Sequence, residues 1–119
     1  RTLAGIGHVW TRRFDIGAAP AAVADDTSPV VLMTHNPDVF PQVPARVALT
    51  LAGHTHGGQV KLPLLGTPIV PSRFGSRFAA GHIIENGRHL YVATGVGTSI
   101  LPVRFRVPPA VSVLTLAFE

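Results

Sequence analysis

The chain has 119 residues, 46% of them hydrophobic and 13% charged, with a formal net charge of +4 and no cysteine. Disulfides and thiolate metal sites are therefore excluded, and no apolar run approaches the ~18 residues of a membrane span. The basic residues are scattered, and nine of the ten are Arg. A nucleic-acid tail would cluster them, so no nucleic-acid partner is expected.

Residues 2–9 alternate and carry glycine, which predicts a strand. Residues 15–25, "DIGAAPAAVAD", predict a short, weak helix interrupted by Pro20. Val30–Met33 is a continuous apolar run, fitting a buried strand. It ends in His35-Asn36-Pro37-Asp38, where Asn-Pro favours a turn. Val47–Ala52 is a second buried strand, and Gly53 opens the loop "GHTHGG". From Lys61 to Phe74 the chain carries Pro63, Pro68 and Pro71 and reads as an ordered loop with short extended pieces. Residues 78–84 and 89–94 are apolar and flank Asn86-Gly87, a strong hairpin signal. A glycine turn follows over Thr94–Ser99. After Pro108-Pro109 a last strand is expected over Ala110–Phe118. Helix is scarce, so the chain reads as the β-rich part of an α/β assembly.

The charged fraction is about half the ~25% usual for soluble domains, and the mean hydropathy is +0.35. Either the strands are buried on both faces, or one face expects a partner. The chain starts at Arg1, and "RTLAGIGHVW" already reads like the inside of a fold. No signal-peptide pattern opens it. The expectation is a single partial domain, residues 1–119, from a processed product or fragment.

Three of the six histidines follow buried strands: His35 after "VVLMT", and His54 and His56 after "VALTLAG". In α/β sheets the carboxyl ends of strands are where ligands bind. In extended chain, residues i and i+2 point to one side, so His54 and His56 can converge. Gly53, Gly57 and Gly58 let the backbone turn tightly and approach a bound group. Neutral imidazole is the commonest metal ligand and suits Zn, Mn, Fe and Ni. A His-x-His in a loop is often plain polar surface. The flanking glycines and the strand-end His35 favour a metal site instead. His82 and His89 lie in the hairpin and read as ordinary strand or surface residues. A cupin site would want an acid four or five residues after His56, where Val60 and Lys61 stand. No His-Glu-x-x-His occurs either.

"VVLMTHNPDVFP" followed by "LTLAGHTHGGQV" resembles the calcineurin-like metallophosphoesterase superfamily, in its bacterial membrane-associated or exported branch. "LPLLGTPIVPSRFGSRFAAGHI" and "LYVATGVGTSILPVRFRVPPAVSVLTL" extend the resemblance from about Leu3 to Leu116. It implies the C-terminal half of a four-layer α/β/β/α sandwich, with a mixed sheet and a C-terminal β-hairpin. It also implies a binuclear centre of Mn, Fe or Zn that hydrolyses phosphomonoesters or phosphodiesters. His35 and His54 match ligands of the second metal, and His56 a ligand of the first. Asn36, Thr55 and Gln59 are candidates to support those ligands. Arg73 and Arg77, in "SRFGSRF", are candidates to contact substrate phosphate, which suits the bidentate fork of Arg.

The family's Asp-x-His, Gly-Asp and Gly-Asn-His-Asp/Glu motifs are absent. They supply the carboxylates and the bridging ligand, so this chain alone is expected to be inactive and to bind at most one metal weakly. Its expected partners are a phosphoester small molecule or lipid-linked substrate and a missing N-terminal half. In "GIGHVW", His8 stands where relatives often carry Asp. The resemblance points to a membrane-associated or exported protein, with a cytoplasmic one as the alternative. The rival reading is a degenerate, non-catalytic metal-binding or scaffold module.

Overall fold

A computed structural model of the chain describes residues 2–5, 15–16, 18–21 and 27–117. Within them the apolar runs become strands: β1 (Thr2–Gly5), β2 (Val30–Met33), β3 (Val47–Ala52), β4 (Gly81–Glu85) and β5 (Arg88–Val92). β2 and β3 have the bounds expected from the sequence. Their Val- and Leu-rich composition fits a buried pleated surface. The helix α1 (Ala18–Ala21) is four residues long. Asp15 begins it by accepting a hydrogen bond from Ala18 N at 3.0 Å. Residues 6–9 of the expected first strand, residues 17 and 22–25 of the expected helix, and His8 lie outside the described residues.

The five strands form one sheet in the order β1-β2-β3-β5-β4. β1, β2, β3 and β5 run parallel, and β4 is antiparallel to β5 at one edge. The chain is thus α/β in character, with a mixed sheet and few helices. The register between β2 and β3 shifts between Val30 and Val31, a local irregularity at the strand entry. The β4–β5 turn follows from two residues: Asn86 has φ 51° and Gly87 φ 72°. Two successive left-handed residues match the twist of a two-residue hairpin.

One sheet face carries the core. Val30, Leu32, Val47, Leu90 and Val92 pack with Val39, Phe40 and Phe78. Burying each such side chain contributes about 1.5–3 kcal/mol. Phe40 and Phe78 meet edge to face with centroids 5.8 Å apart, a favoured aromatic geometry. Arg88 closes the end of this cluster. Its guanidinium lies 5.2 Å over the Phe40 ring and donates to Phe40 O at 3.2 Å and to Val43 O. On the other face Met33 is 48% exposed and Ile84 58%. Of the two options the composition allowed, an uncovered face holds among the described residues.

The strand expected over Ala110–Phe118 does not form; residues 110–117 have no regular structure. The apolar alternation is there, but a strand needs a neighbour to take its backbone groups. Among the described residues this segment has none, and Val111 is 84% and Val113 92% exposed. It is tied at two points: Ala110 N donates to Gly95 O at 2.9 Å, and Tyr91 OH donates to Ser112 Oγ at 2.7 Å. The proline-rich loop does hold a short extended piece, seen as the bridge Leu62↔Gly66, and Val60 just before it bridges Phe105. No described helix is long and apolar enough to cross a membrane.

Candidate metal centre

The parallel strands set the position of the histidines. Met33 of β2 pairs with Leu51 of β3, and Ala52 of β3 with Val92 of β5. The ladder then runs on past the strand ends: Thr34 N donates to Leu51 O (3.0 Å), Gly53 N to His35 O (3.1 Å) and Ala93 N to Ala52 O (2.9 Å). These bonds hold the exits of β2, β3 and β5 side by side at the carboxyl edge. His35 is thereby fixed beside Gly53, next to His54. His35 Nε2 and His54 Nδ1 stand 2.9 Å apart. Their rings meet edge to face, centroids 4.7 Å apart at 63°. At that separation one nitrogen carries the proton and the other accepts it.

The loop between these strands is strained. His54 (φ 67°), His56 (φ 50°) and Gln59 (φ 59°) all occupy the left-handed region. Each such residue costs on the order of 1–3 kcal/mol, and the surroundings must hold it there. Thr55 does so from within: it is 1% exposed and donates to Ala79 O at 2.7 Å. The glycines do so by contact. A Cβ on Gly57 would lie 2.6 Å from Val107 Cγ1, and one on Gly58 2.1 Å from Thr67 Cγ2. The close approach these glycines serve is to the protein's own side chains, where the sequence pointed to a bound group.

Because the chain curls here, the extended-chain alternation does not apply, and His54 and His56 do not converge by that rule. Among the described residues no group of three His, Asp or Glu gathers as a metal cage. His56 Nδ1 is buried and has no hydrogen-bond partner among the described residues. Leaving a buried polar atom unsatisfied costs about 1–3 kcal/mol, which a ligand on that nitrogen would relieve. The His35–His54 pair and this orphan nitrogen are imidazole donors of the type that divalent cations accept, though the three do not gather into one cage among the described residues.

Of the other residues named from sequence, Asn36 and Gln59 spend their side chains on backbone. Asn36 is buried, and its Oδ1 accepts from Asp38 N at 2.9 Å, capping the 3-10 turn Pro37–Gln42. Gln59 donates through Nε2 to Leu101 O (3.0 Å) and Val103 O (3.2 Å), and its Oε1 accepts from Ser99 N. Arg73 is exposed. Its backbone N donates to Asp38 Oδ2 at 2.8 Å. Arg77 forms a double hydrogen bond with Glu85, at 2.8 and 2.7 Å. The hydrogen bonds to Glu85, and then its charge, raise the Arg77 pKa above the ordinary value.

Two residues given no role by the sequence organise the site. Asp38 is 7% exposed; it takes Ser72 Oγ at 2.5 Å and Arg73 N, anchoring the proline-rich loop to the end of β2. Arg104 donates to Thr94 O (2.8 Å), Gly95 O (3.2 Å), Val107 O (3.2 Å) and His56 O (3.4 Å), and also to Gly97 O. It joins the histidine loop, the exit of β5 and the tail. The signal was present: an Arg following a stretch rich in glycine, whose carbonyls lack partners from regular structure.

No protein-family profile matches the chain, and no solved structure does. Curated proteins do. An uncharacterized metallophosphoesterase of Bacillus subtilis (strain 168), YkuE, is 39% identical over 87 residues, 72% of this chain and 30% of the relative. The phosphodiesterase YaeI of Escherichia coli (strain K12) is 35% identical over 117 residues, 96% of this chain and 40% of the relative. An uncharacterized metallophosphoesterase of Aquifex aeolicus (strain VF5) is 33% identical over 87 residues, 73% of this chain and 32% of the relative. The chain thus spans between 30% and 40% of the length of these relatives.

Proposed function

Since the chain belongs to the calcineurin-like metallophosphoesterase superfamily, we propose that it supplies part of the centre of a metal-dependent hydrolase of phosphomonoesters or phosphodiesters. The observation that carries this is the 2.9 Å approach of His35 Nε2 and His54 Nδ1 at the carboxyl ends of adjacent parallel strands. In this reading His35 and His54 hold one metal and His56 helps to hold a second, as Mn, Fe or Zn. Bound divalent cations supply Lewis acidity to the phosphoryl oxygens and a water acidic enough to attack phosphorus. The chain's own residues orient the donors. Asn36 fixes the turn after His35, Thr55 locks the backbone between His54 and His56, and Gln59 holds residues 99–103 against the loop. In this reading the exposed Arg73 contacts a phosphate of a small-molecule or lipid-linked ester, and Arg77 does so only by giving up Glu85.

Three neutral imidazoles neither bridge two cations nor offset their charge. The carboxylate ligands therefore come from another segment of the natural protein, and residues 1–119 form one partial domain that is inactive alone. The test is to assay a chromogenic phosphodiester with added Mn²⁺, using this chain alone and the same chain joined to an upstream half with Asp-x-His and Gly-Asn-His-Asp/Glu. Activity only in the joined protein is the expected result. Robust activity of the chain alone would overturn the partial-domain reading. The rival reading is a non-catalytic metal-binding or scaffold module. Inactivity of both proteins, with metal binding kept, would support it.

A further inference from the structure

Two hollows lie beside the histidine loop. One, of about 560 Å³, is lined by Gly57, Lys61, Gly66, Ser76 and Arg106 among others. The second, of about 470 Å³, shares Lys61, Gly66 and Arg106 with it. The two adjoin along the Lys61–Arg106 side, and no Asp or Glu lines either one. Gly57 in the wall is the residue after His56, so the larger hollow borders the candidate metal centre.

The fold brings these two cations together by a specific pairing. Phe105 N donates to Gln59 O at 2.8 Å and Lys61 N to Phe105 O at 2.9 Å. This parallel bridge at Val60↔Phe105 sets Arg106 beside Lys61 although 45 positions separate them in sequence. Most other cationic side chains in the described residues are already engaged. Arg46 donates to Ser28 O, Arg77 pairs with Glu85, and Arg88 and Arg104 donate to backbone carbonyls. Among the described residues Lys61 and Arg106 have no ion pair or side-chain hydrogen bond; Arg106 lies 5.8 Å over the Phe105 ring. Arg106 is also held at φ 56°, a conformation that Arg does not favour. Unpaired like charges in an acid-free hollow raise the local potential for anions, and an Arg fork matches phosphate oxygens.

We propose that the Lys61–Arg106 cleft is an anion subsite that binds a phosphate of the substrate other than the one being cleaved. The enzyme would then prefer esters that carry a second phosphate, such as a diphosphate or bisphosphate. This rests on the phosphoesterase reading for the identity of the ligand, but the cleft itself does not depend on the metals.

The test uses the full natural chain, with metal removed by chelation, and calorimetric titration with inorganic pyrophosphate. A parallel titration with Zn²⁺ reports on the histidines. Lys61→Ala/Arg106→Ala is expected to weaken pyrophosphate at least tenfold and to leave Zn²⁺ binding intact. Arg106→Gly separates binding from folding: glycine accepts the left-handed backbone, so pyrophosphate affinity should fall while the melting temperature holds or rises. Unchanged pyrophosphate affinity in both variants overturns the proposal and leaves the phosphoesterase reading standing. If Zn²⁺ binding ignores His54→Ala while pyrophosphate still depends on Lys61 and Arg106, the metal reading fails and the anion site survives. Loss of binding to phosphatidylglycerol vesicles with pyrophosphate unaffected also overturns the proposal, making the cleft a membrane contact.

Discussion

Two histidine pairs in this chain have the same nitrogen-to-nitrogen distance, 2.9 Å for His35–His54 and 2.9 Å for His82–His89. The first meets edge to face at 63°, and the second stacks at 21°. Their settings differ far more than their distances. His35 and His54 stand at the carboxyl ends of β2 and β3, on a loop where His54, His56 and Gln59 are left-handed. His82 and His89 lie on one edge hairpin whose one left-handed residue other than glycine, Asn86, is in the turn. Two close imidazoles are therefore a weak sign of a site. Strained backbone, held in place by buried contacts beside an orphan donor, is a stronger one.

The glycines of the two loops give the largest expected contrast. Gly58 and Gly87 share φ 72°, so alanine strains both backbones alike, by about 1–2 kcal/mol. Only Gly58 has neighbours: its Cβ would meet Thr67 Cγ2 at 2.1 Å and Ile69 O at 2.8 Å, while Gly87 has open space. Gly58→Ala should therefore cost ~1–3 kcal/mol more than Gly87→Ala, from overpacking. Urea unfolding of the two variants measures the gap. Equal losses would mean that the histidine loop is no more constrained than the hairpin turn.

Thr55 gives the next effect. Its hydroxyl is buried and donates to Ala79 O. Thr55→Val keeps the shape and leaves that carbonyl without its donor, at a cost of about 1–3 kcal/mol. Urea unfolding reads the stability, and zinc titration should weaken in parallel because Thr55 sets the backbone of both neighbouring histidines. A stability loss with zinc affinity unchanged would assign Thr55 to the fold alone.

The histidine pairs themselves come third. His54→Ala should lower zinc affinity at least tenfold, about 1.4 kcal/mol. His82→Ala should change it less than twofold. Calorimetry on both variants decides, and the reverse order would move the metal centre to the hairpin.

The contrast also explains what the sequence disclosed. Short, mostly apolar runs bounded by turn signals marked β2 and β3 to the residue, since such runs fit strands inside a sheet. Asn86-Gly87 marked the hairpin, because few other dipeptides accept two left-handed residues. The strand ends carried His35 and His54 to the carboxyl edge of the sheet. The role of Asp38 was hidden, since its partners are 34–35 positions away, and so was the bond of Arg104 to His56 O, 48 positions away. No local pattern encodes such distances. The segment 110–117 misled for a related reason. Its alternation is intrinsic, but strand formation depends on a neighbour, and the described residues offer it none.

Arg77 and Arg104 bring the comparison down to single side chains, and Arg77 gives the smallest effect. Both were scattered arginines in the sequence. Arg104 donates to five backbone carbonyls, whereas Arg77 pairs with Glu85 while its side chain stays 51% exposed. An exposed ion pair is screened by salt and adds little to stability. Glu85 raises the Arg77 pKa, so the stabilising charge is present below the unfolded value and is lost only as pH rises through the folded one. Both values lie above any pH at which the fold would be assayed. Arg77→Ala should therefore leave the urea midpoint unchanged within error between pH 7 and pH 9, whereas Arg104→Ala should lower it throughout. If Arg77→Ala instead spares stability but raises the KM of the joined enzyme, Arg77 trades Glu85 for substrate phosphate. An unchanged KM leaves Arg73 as the candidate phosphate contact on that loop.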